Sequence, residues 1–410
     1  MGLRSLINIK ITQLPTKAYP SRNKTLEFDF CESFAWKTST KNMTDKGRIV
    51  TPKNLFYKDE NGKSVPFEGD RSNIGGFNSS PLFLRGDKIE LTAGYIYYDK
   101  RGAEITDTAK LIDGYISKVQ NAVPIELEIE DNMWVLKQVP LPNRTFDRDT
   151  TLESIMKWLV DYANKHDALK ATSTTFTYKT LTETTFDQLV VLNETAAQLL
   201  NRLHRQYGFF SYFRGNELRC GSLRYVPNEA NTEIFVMDGI QGNVCAEGKD
   251  LEYQRRDDIV LSAVAHNVVA ETKTATAVDG TPKTAKKRLE VFVSLYNGVQ
   301  TSKVLGSGER APENTEGERR EFFFPEAKTE QQLIDRAFKE LEQYYYDGMK
   351  GSFKTWAVPF VQHGDNADVR SVLYPEQNGV YKIEAVEYSG STTEGLRQQI
   401  FIDFKIGDNG

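Results

Sequence analysis

Three cysteines in 410 residues, Cys31, Cys220 and Cys245, are too few, too far apart and odd in number. They cannot build a disulfide framework or a C-x-x-C zinc or redox site, and they read as core thiols of a reducing cytosol. Histidine is as sparse: His166, His204, His266 and His363 are scattered, none four residues from another or paired with a cysteine, so no metal centre built on them is expected. Long apolar runs are missing too. No stretch approaches the roughly 20 apolar residues that span a bilayer, and the amino terminus from Met1 to Ile7 turns polar by Asn8 and Lys10. Neither a membrane anchor nor a signal peptide is expected. Positive charge is not in excess, with 52 basic against 57 acidic residues and a formal net charge of −5, so the chain lacks the broad basic footprint that grips nucleic acid. There is no G-x-S-x-G elbow and no local signature of a cysteine nucleophile. Gly306-Ser307-Gly308 lacks the third glycine, the Lys-Ser/Thr pair and the following helix of a phosphate loop, so no nucleotide and no cofactor is expected.

What the chain does have is aromatic residues in alternating runs, with 23 Phe and 19 Tyr. Bulky rings on a pleated surface favour strands. Leu26, Phe28 and Phe30 alternate with Glu27 and Asp29, and Ile89, Leu91 and Ala93 alternate with Lys88, Glu90 and Thr92. Ile125, Leu127 and Ile129 alternate in turn with Glu126, Glu128 and Glu130, which places three carboxylates on one wet face. Turn-rich segments at 59–62 and 73–76 separate these strands, so residues 1–145 read as a closed or nearly closed barrel with long loops. Arg85-Gly86-Asp87 reads as the turn feeding the strand from Lys88, although it spells an adhesion tripeptide.

The period then changes. Thr150 with Glu153 makes a capping box ahead of Leu152, Ile155, Met156, Leu159 and Ala163. A second helix starts near Asn193 or Thr195, sets Ala196, Leu199, Leu200, Leu203 and Tyr207 on one side, and stops at Gly208. A hairpin about Arg214-Gly215-Asn216 follows, so 146–226 reads as an α+β module. Strands resume over 227–410, interrupted by a polar excursion at about 272–321. That excursion carries a basic cluster, Lys283, Lys286, Lys287 and Arg288, an apolar island containing Val291 and Phe292, and an acidic run with Glu309, Glu313, Glu316 and Glu318. It reads as a β-finger that contacts a partner and orders against it. Thr329 with Gln332 opens a further helix with an inner face of Leu333, Ala337, Phe338, Leu341 and Tyr345. His363-Gly364-Asp365 reads as a turn before a strand.

Several segments in order resemble one family. They are Phe83 to Leu91, Gly94-Tyr95, Asp113 to Val119, Pro124-Ile125-Glu126, and Glu130 to Lys137; then Thr195 to Leu200, Tyr207-Gly208-Phe209 and Leu218 to Gly221; and finally Tyr345 to Phe353, Val358-Pro359, His363-Gly364-Asp365, Tyr374-Pro375-Glu376 and Gly379-Val380-Tyr381. Together they resemble the baseplate hub proteins of tailed phages, the late-control D-like proteins among them, most closely in pattern those from phages of Bacteroides-like hosts. The resemblance covers most of the chain outside 272–321. It implies a mainly β fold in which two tube-like β-barrel domains flank the helix-and-hairpin module, and a non-enzymatic homotrimer joining the tail tube to a central spike or tip. It further implies contact with other baseplate proteins, a ring channel that passes DNA or cargo, assembly in the host cytoplasm and residence in the virion tail. Glu126, Glu128 and Glu130 are then candidates to line the channel. Two other classes stay open: a tail-associated cell-wall hydrolase, because an acid pair among 57 carboxylates is a matter of space and not of sequence, and a surface glycan-binding β protein using Trp and Tyr.

Overall fold

The computed structural model describes residues 4–52, 56–58, 62–66, 81–98, 101–120, 123–186, 188–222, 230–240, 242–256, 259–276, 282–306, 308–312, 318–324, 327–342 and 344–407. The turns expected at 59–61 and 73–76, together with Glu313 and Glu316, lie outside the described residues.

Alternating residues build the first β region. Its strands are β1 (Arg4–Thr12), β2 (Thr25–Phe28), β3 (Ser33–Ser39), β4 (Lys46–Thr51), β5 (Phe56–Lys58), β6 (Ser64–Pro66), β7 (Lys88–Tyr98), β8 (Glu104–Gln120) and β9 (Ile125–Glu130). They run in the spatial order β3-β4-β9-β8-β7-β1-β2-β5-β6. In β9 the expected alternation is realised: Ile125, Leu127 and Ile129 are buried, and the three glutamates between them face the wet side.

The module that follows has its own core. It holds α1 (Met133–Gln138), β10 (Arg144–Phe146), β11 (Thr150–Thr151), α2 (Leu152–Ala163), α3 (Asp167–Ala171), β12 (Thr177–Thr180), β13 (Thr185–Phe186), β14 (Leu189–Val191), α4 (Ala196–Tyr207), β15 (Phe210–Arg214) and β16 (Glu217–Gly221). The apolar faces of α2 and α4 meet there, with Ile155, Met156, Leu159, Leu199, Leu200 and Leu203 fully buried. Thr195 and Gln198 close a reciprocal capping box on α4, and Gly208 ends the helix at φ 67° by donating its N–H to the His204 carbonyl. The cap of α2 sits one residue later than expected: Thr151 accepts from the Ser154 N–H, while the Thr150 hydroxyl donates to the Asp147 carbonyl. Arg214 stands opposite Glu217, so the hairpin turn is the two-residue Gly215-Asn216.

The last third comprises β17 (Thr232–Val236), β18 (Val244–Glu247), β19 (Glu252–Gln254), β20 (Val260–Thr276), β21 (Pro282–Tyr296), β22 (Val299–Val304), β23 (Glu318–Phe323), α5 (Glu330–Glu342), β24 (Gly348–Thr355), β25 (Asn366–Arg370), β26 (Gly379–Ser391) and β27 (Gly395–Gly407). β26 pairs with β3, with Ser391 opposite Ser33 and Ala385 opposite Ser39. Two regions remote in sequence thereby join into one 16-stranded sheet. They also share one buried cluster, in which Ile49, Leu91 and Leu127 pack with Phe353, Ile383 and Ile400. β20 to β23 form a separate four-stranded sheet in the order β22-β21-β20-β23, closed on one side by α5. The architecture is mainly β with a small helical part, as the sequence implies.

Candidate functional surface

The broadest feature of the long sheet is its wet face, where strand register sets opposite charges side by side. Lys10 lies opposite both Glu27 and Glu90, and Glu27 opposite Lys58, while Glu90 and Asp113 are two carboxylates facing each other. Lys110 bridges Glu90 at 2.9 Å and Asp113 at 2.8 Å. Further across the sheet Glu128 stands between Arg48 and Lys118. The Glu128 carboxylate accepts from Lys118 Nζ at 2.8 Å and Gln120 Nε2 at 3.1 Å, bonds that hold it below the usual carboxylate range. Glu126 has Arg48 at 3.7 Å, and Glu130 has Lys137 at 2.8 Å. The row of Glu126, Glu128 and Glu130 is therefore not a bare acidic wall. It is one line of a surface on which the neighbouring strands and helix α1 return an opposite charge, and Arg48, Lys118 and Lys137 are the partners that strand pattern alone does not name.

The residues expected at the partner-contact finger divide. Val291 and Phe292 lie inside the chain: Val291 packs in the core under α5 with Leu289, Val293 and Leu333, and Phe292 packs on the opposite side with Val264 and Leu305. The strand pairing expected from a neighbour is supplied instead by β20 and β22, because the apolar island alternates and finds a buried partner on each face. Lys287 and Arg288 remain exposed on β21, where Lys287 Nζ is 3.6 Å from Glu330 and Arg288 Nε 3.0 Å from Glu290. Lys286 stands opposite Ala270 of β20, but its side chain and that of Lys283 lie outside the described part.

Several groups with potential chemistry are engaged in structure, although Cys245 is only half-buried. The Cys31 and Cys220 thiols are buried and pushed up to about 12, which leaves them protonated and inert. Asp87 of the Arg-Gly-Asp tripeptide is buried: its carboxylate accepts from the Leu14 and Leu84 N–H groups and pairs with buried Arg22. His363 lies under the turn that it begins. Its Nε2 donates to the Phe213 carbonyl at 3.0 Å and its ring meets Tyr212 edge-on at 5.3 Å. Desolvation, with Arg214 adding repulsion, lowers its pKa to about 3, so it is neutral. Asp365, beside it, pairs with Arg214 and accepts from the Gln362 N–H at 2.9 Å. This group fastens the module hairpin to the second β region. Asp45 and Asp131 are a buried carboxyl pair, both raised by desolvation, Asp131 to about 7. Among the described residues no cluster of three His, Cys, Asp or Glu side chains could hold a metal ion.

Comparison with solved structures gives a shared fold. The tail protein from Neisseria meningitidis superposes with a TM-score of 0.53 at 12% identity, over 97% of this chain and 96% of that one. A 43 kDa tail protein of a Shewanella oneidensis prophage follows with a TM-score of 0.49 at 12% identity, covering 98% of each chain. An E. coli component of the type VI secretion system, described as similar to bacteriophage tail proteins, gives 0.47 at 10% identity, over 97% of this chain and 76% of that one. No family model and no curated protein matches the sequence.

Proposed function

We propose that this chain is a structural, non-enzymatic subunit of the hub of a phage tail or a phage-like injection apparatus. Three copies would close a ring channel between the tail tube and a central spike or tip, in contact with other baseplate proteins. In this reading the subunit assembles in the host cytoplasm and resides in the virion tail. The observation that carries it is the fold shared, over nearly the full length of both chains, with the Neisseria tail protein. The wet face supports it in physical terms. A channel lined by unpaired Lys and Arg would release counterions to a passing polyanion and hold it tightly, whereas a face on which Lys10, Arg48, Lys110 and Lys118 each stand beside a carboxylate has little of that to offer. Glu126, Glu128 and Glu130 are proposed as part of this channel wall, now as one half of a balanced surface. The regions 1–145 and 227–410 are proposed as the tube-like domains, six in a trimer, meeting head-to-tail at near one sixth of a turn. Lys287 and Arg288 are proposed as the part of the hairpin left for a neighbour.

Electron microscopy of the protein coexpressed with its tube and spike neighbours tests the reading. The expected particle is a threefold ring with a central opening. A twofold-symmetric dimer in the assembled particle overturns it.

A further inference from the structure

The outer side of α2 carries a groove that uses none of the sheet's charges. Trp158 and Tyr162, one turn apart, are half-buried along it. The Trp158 ring meets buried Phe146 edge-on, with centroids 5.1 Å apart. Arg144, from β10, lays its guanidinium over both rings, 4.6 Å from the Phe146 centroid and 5.5 Å from that of Trp158. Lys165 Nζ stands 5.7 Å from the Tyr162 ring, and Lys157 completes a shallow cavity of about 370 Å³. Asp161 is the one carboxylate in the lining.

Charge sets this groove apart. On the sheet Lys110 and Lys118, and beside it Lys137 of α1, each have a carboxylate at hydrogen-bond distance. Arg144, Lys157 and Lys165 are exposed and, among the described residues, have no ion pair. An unpaired cluster of cations in a chain of net charge −5 is a local excess that opposite charge can answer. Trp, Tyr and Arg are also the side chains that dominate binding energy at protein interfaces, and an Arg already stacked on two rings loses less freedom when a carboxylate binds its fork.

We propose that this groove docks an acidic, extended polypeptide segment of a different protein, its carboxylates taken by Arg144, Lys157 and Lys165 and its intervening residues laid along Trp158 and Tyr162. Single-stranded nucleic acid fits less well. Bases need open aromatic faces, but Arg144 already stacks on Trp158. The acidic row on this chain's own sheet, Glu126, Glu128 and Glu130, is not available to fill the groove of a second copy, because it is engaged by Arg48, Lys118 and Lys137. The proposal stands independently of the tail reading.

The test uses the full chain and a short fluorescein-labelled peptide of alternating Glu and Gly, with a Gln-for-Glu peptide as control, read by fluorescence anisotropy at low ionic strength. The Glu peptide is expected to bind, the Gln peptide not, and added salt to weaken the complex. The double variant Arg144→Gln/Lys157→Gln leaves the aromatic packing in place and is expected to weaken binding at least about tenfold, since it removes two charge-assisted contacts. Absence of binding to the wild-type chain, or unchanged binding to the double variant, overturns the proposal. So does equal competition by an oligothymidylate, which would make the groove a nucleic-acid site. A self-association seen in sedimentation and lost in the double variant would make it a contact between copies, and overturns it likewise.

Discussion

Lowering the pH from 7 to 5 should weaken this fold at one identifiable point. His363 is buried, with its Nε2 committed to the Phe213 carbonyl, and Arg214, Arg219 and Lys382 near enough to oppose a second positive charge. The folded ring therefore refuses a proton until about pH 3, while in the unfolded chain it titrates at its ordinary value of 6.5. Because the folded value is the lower one, the unfolded state binds the extra proton throughout the window between them. Stability is thus intact above pH 6.5 and falls as pH drops toward 3, by about 1.4 kcal/mol per pH unit well inside the window. From pH 7 to 5 the loss is about 2 kcal/mol. The variant His363→Gln keeps an amide donor and cannot titrate, so it isolates this loss from the buried carboxyls Asp45 and Asp131, which are present in both proteins and act in the opposite sense. Urea unfolding of both proteins at the two pH values should show the wild-type advantage shrinking by that amount as pH falls. Parallel behaviour, with the gap unchanged, would refute the neutral, buried imidazole.

Four further changes separate buried from exposed features. Phe338→Ala on α5 removes a ring from the cluster that joins this helix to β20 and β21, and thermal melting should report a loss of about 3–5 kcal/mol. Asp87→Asn breaks the buried pair of Arg22 with Asp87 and should cost about 3–5 kcal/mol, whereas Lys118→Ala, breaking an exposed pair on the charged face, should cost under about 1 kcal/mol in the same melts. Asp131→Asn should stabilise the protein at pH 8 and not at pH 4. Burial raises the Asp131 carboxyl to about 7, so only above that value must the fold carry it ionised, and urea midpoints at the two pH values read the difference.

Local rules made much of this architecture readable. Alternation in β9 and the Thr195–Gln198 box with its Gly208 stop are visible because each needs only neighbours in sequence. Two adjacent threonines gave two frames for the cap of α2, and only the backbone chooses Thr151. At Thr329 the box is split: its hydroxyl accepts from the Gln332 N–H, while the Gln332 side chain reaches past it to the Lys328 N–H. The hairpin of β20 and β21 was legible as an apolar island in polar flanks, but not as a core element, because its cover is a helix some forty residues downstream whose apolar face matches any apolar partner equally well. The charged face was legible one strand at a time. Each row of Lys or Glu reads as a solvated edge until register places Glu128 between Arg48 and Lys118. His363 was readable as part of a turn, and its bond to a carbonyl 150 residues away was not.

Register also explains how two β regions so far apart in sequence commit to a single seam. β3 is the strand between them, paired on one side with β4 of the first region and on the other with β26 of the second. Its two buried rings each lie opposite a glycine: Trp36 opposite Gly47 on β4, and Phe34 opposite Gly390 on β26. A Cβ at Gly390 would fall 2.3 Å from Phe34 Cε1, and one at Gly47 would fall 2.6 Å from Trp36 Cε3. Each ring thus occupies the space that a side chain on the neighbouring strand would fill. Sliding β26 by one residue would set Phe34 against Ser389 or Ser391 and turn every buried side chain of the strand to the wrong face. Aromatic rings laid across glycines cover backbone that would otherwise be bare, so the same two contacts that exclude the slipped registers also bury the seam. The continuity of the long sheet, and with it the unbroken charged face, rests on this one strand being unable to pair in any other way.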